Sequence, residues 1–224
     1  MNGCINHKNT ANMPASWYDI DCRACPRLAD FLDAVKRESE NYFCRPVPPF
    51  GDNKARLLVV GLAPGKHGAN ASGRPFTGDY AGVLLYQTLH KFGYASKPVS
   101  EHVDDGLVLS NCRITNAVKC LPPQNKPLGD EEKNCNHFLR AELSEPGLKV
   151  ILALGGLAHR AIMRSFGMKL SSCQFGHNRV HRLDNGLTLV NSYHCSRYNT
   201  QTRRLTESMF EDVFQTIQAE TGDG

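Results

Sequence analysis

The 224-residue chain is 41% hydrophobic and 21% charged, enough apolar content for the core of one α/β domain or at most two small ones. No apolar run approaches the roughly 18 residues of a membrane-spanning helix. The opening MNGCINHKNTANMPASW is polar and lacks the apolar centre of a secretory signal, so residues 1–18 read as a flexible tail before a single domain at 19–220. A cytoplasmic protein is expected. The net charge of +4 is compatible with nucleic acid without identifying it.

In chain order, Cys22-Arg-Ala-Cys25-Pro opens a helix-like segment, and the proline-rich CRPVPPFGD reads as an ordered connection into the first strand. Short, β-branched, apolar runs bounded by Gly, Pro or Asn mark buried strands at 56–62, 113–118, 149–154 and 187–193. Helical periodicity marks 82–92, 131–143 and 157–166. A last helix covers 205–219, with Leu205, Met209, Val213 and Ile217 spaced four apart. Strands alternating with helices predict a mostly parallel, four-stranded sheet between helical layers. Ligands of such folds bind at the carboxyl ends of the strands. The unusual loops GLAPGKHGAN, KCLPPQNKP and HCSRYNTQTRRLT all lie at those ends, which predicts one site.

The cysteine count of nine is odd, and with no export signal it argues against a disulfide framework. Cys22, Cys25, Cys120 and Cys135 combine a CxxC pair with two separated thiols, a pattern that suits a four-thiolate metal site. Spacing alone does not separate zinc from iron–sulfur, or either from a redox CxxC with two ordinary thiols. The glycine loop lacks the Lys-Ser/Thr ending of a P-loop and the GxGxxG order, which argues against a nucleoside triphosphate. Phe76 beside that loop suits stacking on a flat ligand. Asp79 suits either holding a water or simply capping the next helix. In the last loop, Ser196, Arg197, Asn199, Thr200 and Arg203 suit phosphate contacts, and Tyr198 suits stacking or wedging.

Taken together, RPVPPFGD, GLAPGKHGANASGRPFTGD, AVKCLPPQNKP and SYHCSRYNTQTRRLT resemble the iron–sulfur uracil-DNA glycosylases, specifically their type-5 group, over residues 22–219. The resemblance implies a three-layer α/β/α sandwich and a monofunctional, monomeric enzyme that removes uracil from DNA and leaves an abasic site. It implies a [4Fe–4S] cluster on Cys22, Cys25, Cys120 and Cys135. It also implies that Asp79 handles the attacking water, that His194 faces the uracil O2, and that Asn125 belongs to the same catalytic group. Phe76 would stack on the flipped base, Gly61, Ala63 and Gly65 would line its site, and Asn116 would read its edge. Relatives of this type also accept hypoxanthine and other deaminated bases.

Three positions depart from the family pattern: Asn116 where Ala is common, Cys195 where Pro is common, and Arg203 where Gly is usual. Asn116 points to a stricter reading of uracil, and Cys195 to a less rigid histidine loop. A non-catalytic iron–sulfur or zinc DNA-binding module is the competing class. It would need the cysteines and the basic loop, but not Asp79, Asn125 and His194 together. An α/β hydrolase acting on a small molecule would leave the four cysteines and the last loop without a role.

Overall fold

A computed structural model describes residues 13–222. Four strands, β2 (Leu57–Gly61), β3 (Cys112–Asn116), β4 (Val150–Leu154) and β6 (Thr188–Ser192), lie parallel at the centre of the sheet. All five residues of each are buried, because helices cover both faces. The sheet has six strands rather than the predicted four. β1 (Phe50–Gly51) and β5 (Val180–Arg182) add antiparallel edges, giving the order β1-β3-β2-β4-β6-β5. Both are too short, and β5 too exposed, to leave an apolar run in the sequence.

Side-chain alternation along the strands sorts the core into two layers. Leu57, Val59, Leu152 and Val190 pack against α3 (Tyr80–Lys91) and α7 (Glu207–Thr221). Leu58, Val60, Ile151 and Leu189 pack against α4 (Gly129–Leu143) and α5 (Gly156–Ser165). The three-layer α/β/α sandwich is therefore as expected. In α7 the buried set is Phe210, Val213, Phe214 and Ile217, and Thr206 caps the helix by accepting the Met209 N–H.

A smaller cluster joins α1 (Pro26–Glu38), through Leu32 and Val35, to Cys44 and Leu121. This contact brings the CxxC segment beside the end of β3. Polar residues of β3 and of the segment just after it are also buried: Arg113 and Lys119 flank Glu142, with Lys119 Nζ 2.6 Å from Glu142 Oε1. Trp17 lies in the stretch expected to be tail, yet it is wholly buried with its ring 3.8 Å from the Arg113 guanidinium carbon. Ordered packing therefore begins before residue 19, while residues 1–12 lie outside the described part. Among the described residues no helix is long and apolar enough to cross a membrane.

Candidate active site

The chain runs from β2 to β3 on one side of the sheet and from β4 to β6 on the other, so a crevice opens at the carboxyl ends of the central strands. There a cavity of about 300 Å³ is lined by Ala63, Gly65, Phe76, Asp79, Asn116, Asn125, His194 and Ser196, together with Leu62, Ala69 and Ala81. These come from the loops after β2, β3 and β6.

The loop after β2 is anchored from below. Arg74, almost fully buried, lies 2.9 Å from Asp105 and donates to the Val103 carbonyl, while the Tyr86 hydroxyl donates to the Pro75 carbonyl at 2.8 Å. Asp105 is held below the usual carboxylate range: burial opposes ionisation, but the Leu107 N–H and the Arg74 guanidinium outweigh it. This anchoring holds Phe76 in the left-handed backbone region at φ 54°, a costly conformation for a bulky residue. Gly61 lies under the Phe76 ring. A methyl group at Gly61 would stand 2.5 Å from Asn116 Oδ1 and 2.8 Å from Phe76 Cζ, so only glycine permits this approach.

Of the two roles the sequence offers Asp79, the helix cap is present. Asp79 Oδ1 accepts the Gly82 N–H at 2.9 Å and caps α3, and the same carboxylate lines the cavity. Burial pushes its pKa up, and the Gly82 and Ala81 N–H groups restrain the shift. Oδ2 rests against Gly68, where a methyl group would sit only 2.5 Å away.

Asn116 ends β3 and is buried, whereas Asn125 is an exposed residue of the following turn. Gln124 and Asn125 both have φ 56°, a conformation Asn tolerates better than most residues.

His194 leaves β6 with its ring 6.0 Å from that of Phe76 and stacked at 28°. Burial lowers its pKa to about 4, so the imidazole is neutral near pH 7, and among the described residues Nδ1 finds no hydrogen-bond partner. Residues beyond it form a short helix, α6 (Arg197–Gln201), which the sequence reading left as loop. Ser196 caps α6. The Asn199 amide turns inward to the His194 carbonyl at 2.8 Å, and the Thr200 hydroxyl bonds the Ser196 carbonyl. Arg197 and Tyr198 are exposed, with the Arg197 guanidinium 5.9 Å from the ring of Tyr80 and Tyr198 71% accessible. Arg203 is exposed at φ 56°.

Cys22, Cys25, Cys120 and Cys135 all line a second, narrow apolar cavity between α1, the end of β3 and α4. The Lys119 N–H points to Cys135 Sγ at 3.3 Å, and the Asn134 amide to Cys25 Sγ at 3.7 Å. Burial raises the Cys120 thiol pKa, and that of Cys135 to about 11. Arg27 pairs with Glu131, joining α1 to the first turn of α4 next to this cavity. Among the described residues no group of three or more His, Cys, Asp or Glu is spaced to hold a single metal ion. All the described cysteines are free.

Residues 48–218 match the family model of the uracil DNA glycosylase superfamily. A type-5 uracil-DNA glycosylase of Thermus thermophilus is 47% identical over 198 residues, covering 86% of this chain and 90% of the relative. The chain belongs to the uracil-DNA glycosylase superfamily, in its type-5 group. Another type-5 uracil-DNA glycosylase, from Pyrobaculum aerophilum, is 40% identical over 93% of this chain and 96% of its own length. A type-4 uracil-DNA glycosylase of Archaeoglobus fulgidus is more distant, at 28% identity over 87% of each chain.

Several residues of this superfamily member were not singled out in the sequence. Arg74 and Asp105 anchor the Phe76 loop, but they are 31 positions apart and no local pattern links them. Tyr80 and Leu128, both exposed, flank the cavity loops. The only sequence signal for them was a large apolar side chain next to a polar loop.

Proposed function

We propose that this chain excises uracil from DNA by hydrolysing the N-glycosidic bond, leaving an abasic site for base excision repair. The observation that carries this reading is one strand-end cavity that gathers Phe76, Asp79, Asn116, Asn125 and His194. A non-catalytic DNA-binding module has no use for such a cavity.

A base inside a duplex is out of reach of these groups, so the nucleotide must be extruded, at a cost of a few kcal/mol. Arg197 lies over Tyr80, whereas Tyr198 projects freely, which favours Tyr198 as the wedge. The flipped uracil stacks on Phe76, and the Asn116 amide pairs with its polar edge. As the bond between N1 and C1′ breaks, negative charge collects on the uracil and positive charge on the sugar. His194, neutral because it is buried, donates a hydrogen bond to O2 and stabilises the leaving anion. Asp79 orients a water whose oxygen bonds C1′, and the proton released passes to the carboxylate and then to solvent. Its raised pKa makes it a better base than an ordinary aspartate. Among the described residues no lysine lines the cavity, which supports hydrolysis by water rather than an imine intermediate.

The four cysteines fit a [4Fe–4S] cluster. They line one apolar cavity, and N–H donors point to two of the sulfurs. When bound, the cluster supplies four metal–thiolate bonds that tie α1, the end of β3 and α4 together. The reaction described above uses only protein side chains and water.

The test is cleavage of a labelled duplex with one U opposite G, followed by alkali. Strand scission at the uracil is expected, falling by about 10²–10⁴-fold in Asp79→Ala and His194→Ala. No scission by the cluster-loaded parent would overturn the reading.

A further inference from the structure

The backbone of Tyr193, immediately before His194, is held by a histidine that the reaction above does not use. The Tyr193 N–H donates to His177 Nδ1 at 3.2 Å, and His177 Nε2 lies 3.2 Å from the Met209 carbonyl in the first turn of α7. A carbonyl only accepts, so Nε2 carries the proton and Nδ1 is the acceptor, which fixes one neutral tautomer. The two rings also stack, with centroids 5.0 Å apart and planes at 19°. The Arg204 guanidinium lies over the same tyrosine ring at 4.6 Å. On the other side of His194, the Asn199 amide holds its carbonyl. The chain around His194 is thus fixed at both flanks by side-chain contacts, at a place where Cys195 provides none of the stiffness of a proline.

We propose that His177 is a positioning residue for the glycosylase reaction, fixing His194 through the Tyr193 N–H and anchoring it to α7. The proposal rests on the reading of His194 as the group that faces the uracil O2. His177 itself touches no reacting atom. Its effect is therefore on the rate of bond breaking rather than on DNA binding, because a displacement of about 1 Å at a catalytic group costs about 10²-fold.

Two variants separate positioning from plain structure. His177→Phe keeps a ring to stack on Tyr193 but removes the acceptor, whereas His177→Asn keeps an acceptor near Nδ1. With a uracil oligonucleotide, His177→Phe should lower kcat by about 10²-fold with KM changed by less than about threefold, and His177→Asn should recover most of the loss. In a His194→Ala background, His177→Phe should cost little more, since the group it positions is gone. A parent-like kcat in His177→Phe, a full loss persisting in the His194→Ala background, or no recovery with Asn would each overturn the proposal. Parent-like activity of His194→Ala alone would instead remove the reading of His194, and the positioning role with it.

Discussion

Phe76 and His194 stack 6.0 Å apart although one follows β2 and the other follows β6, two strands separated in the sheet by β4. The contact closes one wall of the cavity, and it depends on an unfavourable backbone conformation at Phe76. The ring proposed to receive the base and the histidine proposed to stabilise its departure therefore stack on each other. Phe76→Ala should reduce both stacking and the support of His194. We expect kcat/KM for uracil excision to fall by about 10–10²-fold, with changes in KM as well as kcat. Steady-state kinetics on the U:G duplex check this, and a change confined to KM would show that the His194 contact is dispensable.

The two titrating groups of the site set an asymmetric pH dependence. His194, held near pKa 4, stays neutral from pH 5 to 8, so no rate inflection should occur near 6.5. In its proposed role Asp79 must be ionised, and its raised pKa means that activity should fall on acidification earlier than an ordinary aspartate would require. Single-turnover rates from pH 4 to 8 should show one acid limb, absent in the weakly active Asp79→Asn variant.

The same shift at His194 affects stability. Between about pH 6.5 and 4 the unfolded chain binds a proton here that the folded chain refuses. Folding stability is then at its full value above pH 6.5, falls as pH drops to about 4, and levels off below. The contribution of this one group is at most about 3 kcal/mol. Denaturant unfolding of the parent and of His194→Gln should differ in pH slope within that window and run parallel above it.

The four buried strands were legible because cover by helices on both faces favours short apolar and β-branched runs, although β3 and β6 also bury polar residues such as Arg113 and Asn191. The flanking helices were legible because their periodicity is intact. Elements held by distant partners were not. β1 and β5 exist through pairing with β3 and β6, and α6 through the Ser196 cap. Trp17 stands in a polar stretch, and its ring packs on Arg113 of β3, which no local pattern links to it. At the site, residue types and strand-end loops pointed to Phe76 and Asp79, and the family resemblance added Asn116, Asn125 and His194; all five line one cavity. The devices that hold them were illegible. Arg74 with Asp105, and His177 with Tyr193, are contacts between segments with no shared pattern.

Gly68 shows how little room surrounds the Asp79 carboxylate. A methyl group there would stand 2.5 Å from Asp79 Oδ2 and 2.7 Å from its Cβ, too close for a change of rotamer alone to relieve. Gly68→Ala should therefore displace Asp79 and lower kcat by about 10²-fold. Binding of uracil DNA to the variant, measured by fluorescence anisotropy, should change by less than about threefold, since Gly68 does not line the cavity. Unchanged kcat would mean that the carboxylate does not need its present position.

Tyr198 offers the most direct separation of base extrusion from bond breaking. Its side chain is 71% accessible and, among the described residues, carries no stacking partner like the one Arg197 finds in Tyr80. A wedge lowers the cost of opening a duplex, a cost that is largely absent when the uracil lies in a single strand. Tyr198→Ala should therefore reduce excision from a U:A duplex by about tenfold or more, since opening that pair costs a few kcal/mol. Excision from single-stranded DNA should stay close to that of the parent. A U:G mismatch, already weakly paired, should fall between the two. Equal losses on all three substrates would assign Tyr198 to general DNA contact, and Arg197→Ala would then be the next variant to measure against the same series.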